Sequence, residues 1–522
     1  MNWPGKWKMM IVNGVGRQIP GVIKGYKNVI PYSSPHGYDP FPEKVSAYTG
    51  KALPGENKLL PDVETAIRES GLEDGMTVSF HHHFRNGDRV VNLVLDTAAK
   101  LGFRGLKVAL SSIFPIHAPL VEHIESGVVG GLSCNYMLGP VAEAMSRGAF
   151  PFPVTFRTHG GRDRAIEAGE ERIDIAFIAA SAADEAGNFN GVSGPSACGS
   201  LGYCITDCHY ARKTVVLTDY LEPYPLVPAS VDETMIDFVV KVDKVGDPAG
   251  ITTGAVRTVD DPLRLRLAQW AVDVIEASGL IREGISFQTG TGGASLAAAG
   301  YLREKMERLR VSGSFGMGGV TGHMADLLRE GYFRTILDTQ SFDRKAINSL
   351  RDNSRHVEIS SNRYANPHNK GCAVNRLDAM ILSATEVDAA FNVNVHTASD
   401  GRVMGGSGGH ADTAAGSSLA VVVAPSVRKK IPIVIEAVHT VTTPGETVDC
   451  LVTEQGISVN PRRRDLLEDL RSAGLPLIEI NDLRAEVEKI TGRPELPKRS
   501  EKIVAVVEYR DGSVIDVIRA LG

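Results

Sequence analysis

The densest chemical signal in the sequence is a run of glycines within residues 403–412. The run reads Val-Met-Gly-Gly-Ser-Gly-Gly-His-Ala-Asp and places Gly405, Gly406, Gly408 and Gly409 within five positions. Glycines allow the backbone to turn tightly and to present several N–H groups to one point, as in an oxyanion hole or an anion nest. A flexible surface loop is the alternative, but Asp412 and the small residues after it favour an ordered turn that enters a helix.

Two more glycine-rich segments follow strand-like runs in the same half of the chain. Thr289–Ala294, which contains Gly292 and Gly293, comes directly after the predicted strand 285–288. Residues 313–323, with Phe315, Gly316, Gly318 and Gly319, are expected to form a loop between a strand at 309–311 and a helix near 325–329. Neither GxxxxGK[ST] nor GxGxxG occurs, so phosphate-loop and dinucleotide sites are weakly supported. Three such turns at successive strand ends predict one site at that edge.

The matching strand end in the first half carries basic residues instead of glycines. His81, His82, His83, Arg85 and Asn86 follow the predicted strand 76–80. Three consecutive histidines on a regular element cannot all reach one metal ion, so a polar loop or a carboxylate pocket remains. We favour the carboxylate pocket, because imidazole and guanidinium groups at a helix start bind carboxylates through charge-assisted hydrogen bonds.

Further basic residues and cysteines leave alternatives open. His159, Arg162 and Arg164 either add to the carboxylate pocket or are ordinary surface charges. The spacing Cys204-x3-Cys208-His209 could suggest a metal site, but no second ligand pair follows at zinc spacing. Reduced structural thiols are the favoured interpretation, and no metal is predicted.

The elements that position these residues are predicted from alternating strands and helices. Examples are strands at 76–80 and 106–110 and helices at 90–101 and 118–125. Such alternation indicates βαβ units and a mostly parallel sheet. The pattern restarts after a Pro- and Asp-rich stretch at 247–262, so the chain is divided into an extended arm (1–60), a first α/β domain (61–255) and a second (256–522).

The two halves also share residues, as expected of a duplicated domain. A shift of 214 positions aligns Asp174 with Asp388 and gives eight identities over residues 174–197. Two similar domains that face each other form a cleft, which is a common place for a ligand site. In open parallel sheets that site lies at the carboxyl ends of the strands.

Composition restricts the partners and the compartment. The net charge is −6 with 43% hydrophobic residues, which argues against broad nucleic-acid binding and favours a globular protein. No apolar run approaches the roughly 18 residues of a membrane span. The first residues lack the apolar core of a signal peptide, so a reducing cytoplasm is expected.

Several of these stretches together resemble a known family. The paired domains, the 400–412 stretch, its weaker copy at 184–194, residues 392–396 and the tail 504–516 are similar to the coenzyme A transferase superfamily, and within it to citrate lyase alpha chains. The resemblance runs from about residue 15 to the end. It implies two open α/β domains of the NagB/RpiA/CoA transferase-like type.

The resemblance implies an acyl exchange. Acetyl-thioester carrier and citrate would give citryl-thioester carrier and acetate, within a complex that also contains a beta (lyase) subunit and a gamma (acyl carrier) subunit. The carrier bears a CoA-like phosphopantetheine arm, for which free CoA thioesters can substitute, and no cofactor is expected on this chain itself.

The implied site has three groups of residues. Citrate would contact the basic loop and residues of the second domain: His81, His82, His83, Arg85, Asn86, Asn394, His396 and Asp412. The oxyanion would meet the backbone of Gly405, Gly406, Gly408 and Gly409 beside His410. The thioester arm would contact Gly292, Gly293, Phe315, Gly316, Gly318 and Gly319.

One departure from the superfamily pattern bears on mechanism. Many coenzyme A transferases use a nucleophilic glutamate in the loop that corresponds to residues 312–319, but no Asp or Glu occurs between Glu307 and Asp326. A covalent glutamyl intermediate then lacks its nucleophile, and direct attack by a citrate carboxylate remains. The alternatives are an acetate- or succinate-type transferase, an acyl-CoA hydrolase, and a non-catalytic scaffold.

Overall fold

A computed structural model of the chain describes residues 10–37, 43–48, 53–252, 261–290, 293–495 and 497–522. In those ranges no helix is both long and apolar enough to cross a membrane. The elements of residues 10–252 are, in chain order, β1 (Met10–Val12), β2 (Gln18–Pro20), β3 (Leu59–Leu60), α1 (Val63–Glu69), β4 (Thr77–Phe80), α2 (Val90–Lys100), β5 (Leu106–Leu110), α3 (Leu120–Glu125), β6 (Val129–Cys134), α4 (Pro140–Ser146), β7 (Val154–Phe156), α5 (His159–Glu167), β8 (Ile175–Ala180), β9 (Ala182–Ala183), β10 (Phe189–Asn190), α6 (Ile205–Tyr210), β11 (Lys213–Thr218) and β12 (Phe238–Lys241).

Residues 261–522 repeat this alternation and end in a long hairpin. Their elements are α7 (Pro262–Ala277), β13 (Ser286–Thr289), α8 (Gly293–Leu309), β14 (Gly313–Val320), α9 (Gly322–Arg329), β15 (Phe333–Ser341), α10 (Arg344–Asp352), β16 (His356–Glu358), α11 (Ser361–Ala365), β17 (Ala379–Ser383), β18 (Glu386–Asp388), β19 (Val393–Asn394), α12 (His410–Gly416), β20 (Leu419–Val423), β21 (Val427–Arg428), β22 (Ile431–Pro432), β23 (Val434–Ile435), β24 (Cys450–Thr453), β25 (Gly456–Val459), α13 (Arg464–Ser472), α14 (Ile480–Thr491), β26 (Arg499–Glu508) and β27 (Val514–Leu521).

Two large sheets carry the fold. The first has the strand order β27-β26-β7-β6-β5-β4-β8-β11-β12-β3, and the second has the order β16-β15-β14-β13-β17-β20-β24-β25. All neighbours within these sheets are parallel except β26 with β27 and β24 with β25. Strands β8 and β20 are buried at every position, as expected where helices cover both faces of a parallel sheet. The predicted mostly parallel α/β fold is confirmed.

The same strand order occurs in both sheets. Seven strands of the first sheet, β7-β6-β5-β4-β8-β11-β12, correspond in order to β16-β15-β14-β13-β17-β20-β24 of the second. The shift of 214 positions is nevertheless wrong for residues 174–197. Asp174 accepts a hydrogen bond from the backbone N–H of Thr77 on β4, and Asp378 accepts the equivalent bond from Ser286 on β13. The structural partner of Asp174 is therefore Asp378, 204 residues later.

The tail of the chain belongs to the first sheet. The sequence placed residues 499–521 in the second domain, whereas β26 pairs with β7 in the first sheet and β27 pairs with β26. The physical reason is that β7 would otherwise leave its backbone groups unpaired at an edge. The arm packs on the same hairpin, since Tyr32 donates its N–H to Val514. Residues 253–260, where the domain boundary was predicted, lie outside the described residues.

Candidate active site

A cavity of about 390 Å³ lies between the two halves at the carboxyl ends of their strands. The first half supplies His82, Arg85, Ser112, Phe114, Tyr136, His159 and Tyr203, and the second supplies chiefly Gln288, Gly319, Gln340, Phe342, Tyr364, Ser383 and the segment 406–410. The strand ends predicted to meet at one site therefore do so. What each residue does there stays a prediction.

The glycine loop, residues 403–412, belongs to the second half and packs against the first, and its glycines are required by close contacts. A methyl group on Gly406 would lie 2.3 Å from the carbonyl oxygen of Asn135, and one on Gly409 would lie 2.5 Å from the Tyr364 hydroxyl. Gly408 has φ +49°, a left-handed conformation that side chains disfavour. As the sequence predicted, the loop enters a helix, α12, at His410.

One backbone N–H of this loop is already engaged. Gly408 donates to the carbonyl oxygen of Asn135 at 3.1 Å and accepts from the N–H of His159 at 2.8 Å. Its N–H therefore holds the two halves together and is not free for an oxyanion. The carbonyl of Gly405 accepts a hydrogen bond from the N–H of Met137, and Gly405 does not line the cavity. The oxyanion role predicted for the loop is left to the backbone at Gly406 and Gly409 and to the residue between Gly406 and Gly408, Ser407.

Arg85 is the cation of the cavity. Its guanidinium stacks between the rings of Phe114 and Phe342, at 5.3 and 4.8 Å from their centroids. Burial lowers the pKa of Arg85, but a guanidinium stays charged at neutral pH. No carboxylate of the described residues forms an ion pair with it, and its Nε is buried without a hydrogen-bond partner. A buried, unpaired cation of this kind is suited to an anionic ligand.

Two neutral imidazoles line the cavity together with Arg85. His82 stacks on His159 with ring centroids 5.8 Å apart, and both rings pack against Tyr203. Burial, together with His159, His83 and Arg85, lowers the pKa of His82 well below its usual value. Burial also lowers the pKa of His159 to about 3. Both rings are therefore uncharged hydrogen-bonding groups at neutral pH.

The other basic residues of the predicted pocket lie behind the cavity. The His81 ring is 3.1 Å from Asp207, which also receives two hydrogen bonds from Arg162. Arg164 donates two hydrogen bonds to Glu170 and does not line the cavity. His83 and Asn86 do not line the cavity: His83 is buried under the stacked rings, and Asn86 accepts a hydrogen bond from the N–H of Ile116. Successive residues of a tight turn point in different directions, which is why one histidine of three faces the ligand space.

His410 lines the cavity with both ring nitrogens occupied. Its Nε2 is 2.9 Å from the carbonyl oxygen of Ser383 and its Nδ1 is 2.7 Å from the hydroxyl of Thr443. A carbonyl only accepts, so Nε2 carries the proton and Nδ1 accepts from the hydroxyl. Burial lowers the pKa of His410 to about 4, which keeps the ring neutral. The ring orients the start of α12 and has no free lone pair for the predicted catalytic role.

Asn394, His396 and Asp412 do not reach the cavity and instead hold the loops that form it. The Asn394 side chain accepts from the N–H groups of His396 and Thr397, and His396 Nδ1 lies 2.7 Å from the Thr442 hydroxyl. Asp412 accepts hydrogen bonds from the hydroxyl of Thr158 and the N–H of Gly160, both in the other half. In a sequence, polar residues that support a functional loop cannot be told from residues that bind the ligand, which is why these three were predicted to bind citrate.

The residues predicted to contact the thioester arm lie in different elements, and most of them do not line the cavity. Gly292 lies outside the described residues, and Gly293 is the first residue of α8. The predicted loop at 313–323 is wrong over 313–320, because these residues form the strand β14, with a register shift at Gly318/Gly319. Phe315, Gly316, Gly318 and Gly319 are therefore sheet residues, and among the described residues of this group Gly319 alone lines the cavity. Glycines here let the strand pass close to neighbours: a methyl group on Gly316 would lie 2.3 Å from Met324.

Sequence reasoning missed the uncharged polar lining. Tyr136, Tyr203, Tyr364 and Gln288 carry no motif, and isolated aromatic residues resemble core residues in a sequence. Ser407 could have been found, because it stands inside the glycine run; its hydroxyl is buried without a partner and lines the cavity.

The charge of the lining separates possible mechanisms. Among the described residues around the cavity, Arg85 is the cation and none is Asp or Glu. The described residues contain no cluster of His, Cys, Asp or Glu that could hold a metal ion. All six cysteines are buried and unpaired, including Cys204 and Cys208.

The two paired sheets define the fold class of the protein. The structure is similar to a 4-hydroxybutyrate CoA-transferase from Porphyromonas gingivalis, with a TM-score of 0.52, 16% identity, and coverage of 83% of this chain and 96% of that one. At that identity the likeness shows the fold alone. The fold is that of the CoA transferases.

The comparisons in sequence are more specific. Residues 56–521 match the family described as citrate lyase, alpha subunit (CitF). The chain is 49% identical over 491 residues to the citrate lyase alpha chain of Klebsiella pneumoniae, covering 94% of this chain and 97% of the relative. It is 50% identical over 463 residues to that of Escherichia coli (strain K12), with coverage of 89% and 91%. A crystal structure of the putative alfa subunit of citrate lyase from Streptococcus mutans, in complex with citrate, is similar with a TM-score of 0.92, 44% identity and coverage of 94% and 97%.

The chain therefore belongs to the citrate lyase alpha-subunit family. It is an enzyme of the CoA-transferase type that acts in the acyl transfer of citrate lyase, and it is one subunit of a hetero-oligomer.

Proposed function

We propose that the chain exchanges acetyl for citryl on a thioester carrier by direct attack of a citrate carboxylate. The substrates are an acetyl thioester, on the carrier or on CoA, and citrate; the products are the citryl thioester and acetate. The similar Streptococcus mutans structure holds citrate, which supports citrate as the acid. The observation that carries the mechanism is a cavity with one unpaired guanidinium and, among its described lining residues, no carboxylate.

The bond changes follow from that lining. A citrate carboxylate oxygen attacks the acetyl carbonyl carbon, the carbonyl electron pair moves to oxygen, and collapse expels the thiolate with a mixed anhydride as product. The thiolate then attacks the citryl carbonyl of the anhydride and releases acetate. The first step breaks a C–S bond and forms a C–O bond, and the second step does the reverse. No proton therefore has to be transferred. A nucleophile from the protein is unnecessary, and the protein contributes positioning and charge stabilisation.

Arg85 is the residue we assign to citrate binding. Its fork of N–H donors matches a carboxylate, and the flanking rings of Phe114 and Phe342 fix its orientation. The neutral rings of His82 and His159 add hydrogen bonds without adding charge. The glycine loop faces the reacting carbonyl from the other half, so the acid and the thioester approach from opposite walls.

The remaining assignments rest on the family. We propose that the partners are a beta subunit, which cleaves the citryl thioester, and a gamma subunit, whose phosphopantetheine arm enters the cavity along the residues near Gly319. No cofactor would be held by this chain itself. Six unpaired cysteines support a reducing compartment, which we propose is the cytoplasm.

Trapping separates the direct route from a covalent one. The purified chain, given acetyl-CoA and citrate, is expected to form citryl-CoA, and treatment with borohydride or hydroxylamine should leave no modified carboxylate detectable by mass spectrometry. A glutamate labelled after incubation with acetyl-CoA would disprove direct attack. A correctly folded chain that makes no citryl-CoA would support the non-catalytic alternative.

Arg85 gives the test of citrate recognition. Because its charge is buried, Arg85→Gln should raise KM for citrate at least about 30-fold, the lower limit for removing one partner of a buried charge pair. Arg334→Gln, at an exposed arginine paired with Glu283, is the matched control and should leave KM unchanged. If Arg85→Gln weakens the use of citrate and of a monocarboxylate by the same factor, recognition of a tricarboxylate by this residue is wrong.

A further inference from the structure

Tyr364 occupies a position at the glycine loop that the proposed reaction leaves unassigned. It lies on α11, is 3% exposed, and lines the cavity. Its hydroxyl is 2.5 Å from the position that a methyl group on Gly409 would take. The phenol oxygen therefore lies beside Gly409, at the end of the glycine loop to which the proposed function assigns the thioester carbonyl.

The hydrogen bonding of Tyr364 determines where its proton can go. The Nε2 amide of Gln288, at the end of β13, donates to the phenol oxygen at 2.8 Å, and of the described residues only Gln288 bonds to that oxygen. A phenol oxygen that already accepts a hydrogen bond still has its own O–H to donate. Burial raises the pKa of Tyr364, so the phenol stays protonated at neutral pH.

The position of Tyr364 is fixed from both halves of the molecule. Helix α11 lies so close to α5 that a methyl group on Gly160 would be 2.0 Å from the carbonyl oxygen of Ala365. The N–H of Tyr364 donates to Ser360, the residue that caps α11. A donor held in this way needs little rearrangement when negative charge develops beside it, which is the condition for electrostatic stabilisation of a transition state.

We propose that the Tyr364 hydroxyl is a donor of the oxyanion hole and that Gln288 positions it. When the carboxylate attacks, the thioester carbonyl oxygen becomes negative and receives the phenol O–H together with the backbone N–H groups of the glycine loop. The phenol donates a hydrogen bond and keeps its proton, so the electron balance of the exchange is unchanged. Tyr364 is thus a catalytic residue and Gln288 a positioning residue. This inference rests on the proposed function.

The hydroxyl can be removed without changing the packing of the ring. Tyr364→Phe in the full chain, assayed with acetyl-CoA and citrate, should lower kcat by about 10²- to 10³-fold, the usual cost of losing one oxyanion donor. KM for citrate should change by less than about threefold, because the interaction forms with the transition state and not with the bound acid. Tyr26→Phe is the matched control: it removes the phenol hydrogen bond to Glu508, neither residue lines the cavity, and it should lower Tm while kcat stays at the wild-type value.

The role of Gln288 is tested in a double-variant cycle. Gln288→Leu alone should lower kcat, whereas in the Tyr364→Phe background it should cost little more, because the amide acts through the phenol. A kcat for Tyr364→Phe within threefold of wild type would overturn the inference, as would a full additional loss from Gln288→Leu in the Phe background. Retained turnover in those cases would leave the proposed function standing. A wild-type chain that forms no citryl thioester would overturn both.

Discussion

Replacing Gly406 by alanine tests whether close contact between the two halves shapes the active loop. A Cβ at this position would lie 2.3 Å from the carbonyl oxygen of Asn135 and 2.7 Å from the Cα of Tyr136. Both obstacles are backbone atoms, so no side-chain rotation relieves the contact. Since an ordinary van der Waals contact of a Cβ atom is 3.4–4 Å, the loop or the Asn135 segment has to move by at least roughly 1 Å.

The size of the effect follows from that displacement. Overpacking of a close contact costs typically about 1–3 kcal/mol in free energy of unfolding. A misplacement of about 1 Å in the catalytic geometry costs on the order of 100-fold in rate. We therefore expect Gly406→Ala to remain folded with a lower Tm and to lose about 100-fold in kcat for citryl-CoA formation.

The assay needs a control that separates a local clash from a general effect of alanine. Gly300 lies within α8 and is exposed, and a methyl group added to it would meet no atom within 4 Å. Gly300→Ala should leave kcat unchanged and raise stability by about 0.5–1 kcal/mol, because glycine disfavours a helix interior. If Gly406→Ala keeps both the wild-type kcat and the wild-type Tm, the close approach of the two halves at this loop does not shape the site as we argue.

Two further predictions concern stability. Burial raises the pKa of Asp163 to about 7. The folded chain therefore retains a proton that the unfolded chain loses near pH 4. Because of this difference, the free energy of unfolding falls as the pH rises from about 4 to about 7. The Tm of Asp163→Asn relative to wild type should therefore rise between pH 5 and pH 8, by an amount equivalent to about 3 kcal/mol; a constant difference would contradict this. Deleting residues 499–522 exposes the edge of β7 and leaves the buried Arg157 without Glu508, so the shortened chain should aggregate in size-exclusion chromatography. A monodisperse product with an unchanged Tm would show that the hairpin is dispensable.

Local patterns in the sequence predicted several helices and strands, whereas elements that depend on long-range contacts were missed. Strand β5 has the predicted bounds, and helix α2 differs from its prediction by one residue. Both were predictable because the spacing of apolar residues, and the residues that end helices and strands, act over short stretches of chain. The strand at 313–320 was missed because its glycines disfavour a strand locally. They are required there because β14 runs between β13 and β15, with Met324 and Phe342 close to its backbone.

The location of the candidate site was predictable from the sequence, whereas most of the side chains that line it were not. Gly-rich and basic strand ends indicated where the two halves meet, and the cavity lies there. Which side chains turn toward it depends on conformations that sequence spacing does not encode. The backbone of Arg85 adopts a left-handed conformation, with φ 52°, and its side chain reaches the cavity. The neighbouring Asn86 does not, and its side chain accepts a hydrogen bond from the N–H of Ile116. Tyr364 enters it because α11 packs on the opposite half.

The tail hairpin has a consequence for the order in which the protein is made. Arg157, next to β7, and Glu508, on β26, are 351 residues apart in the chain and hydrogen-bonded in the folded protein. At the usual rate of about 5–20 residues per second, a ribosome needs about 20–70 s to make the intervening chain. During that interval the first sheet has an open edge at β7, and Arg157 has its nearby partner Glu171 but lacks Glu508. A nascent chain of this protein is therefore expected to depend on chaperones until its last strand has left the ribosome.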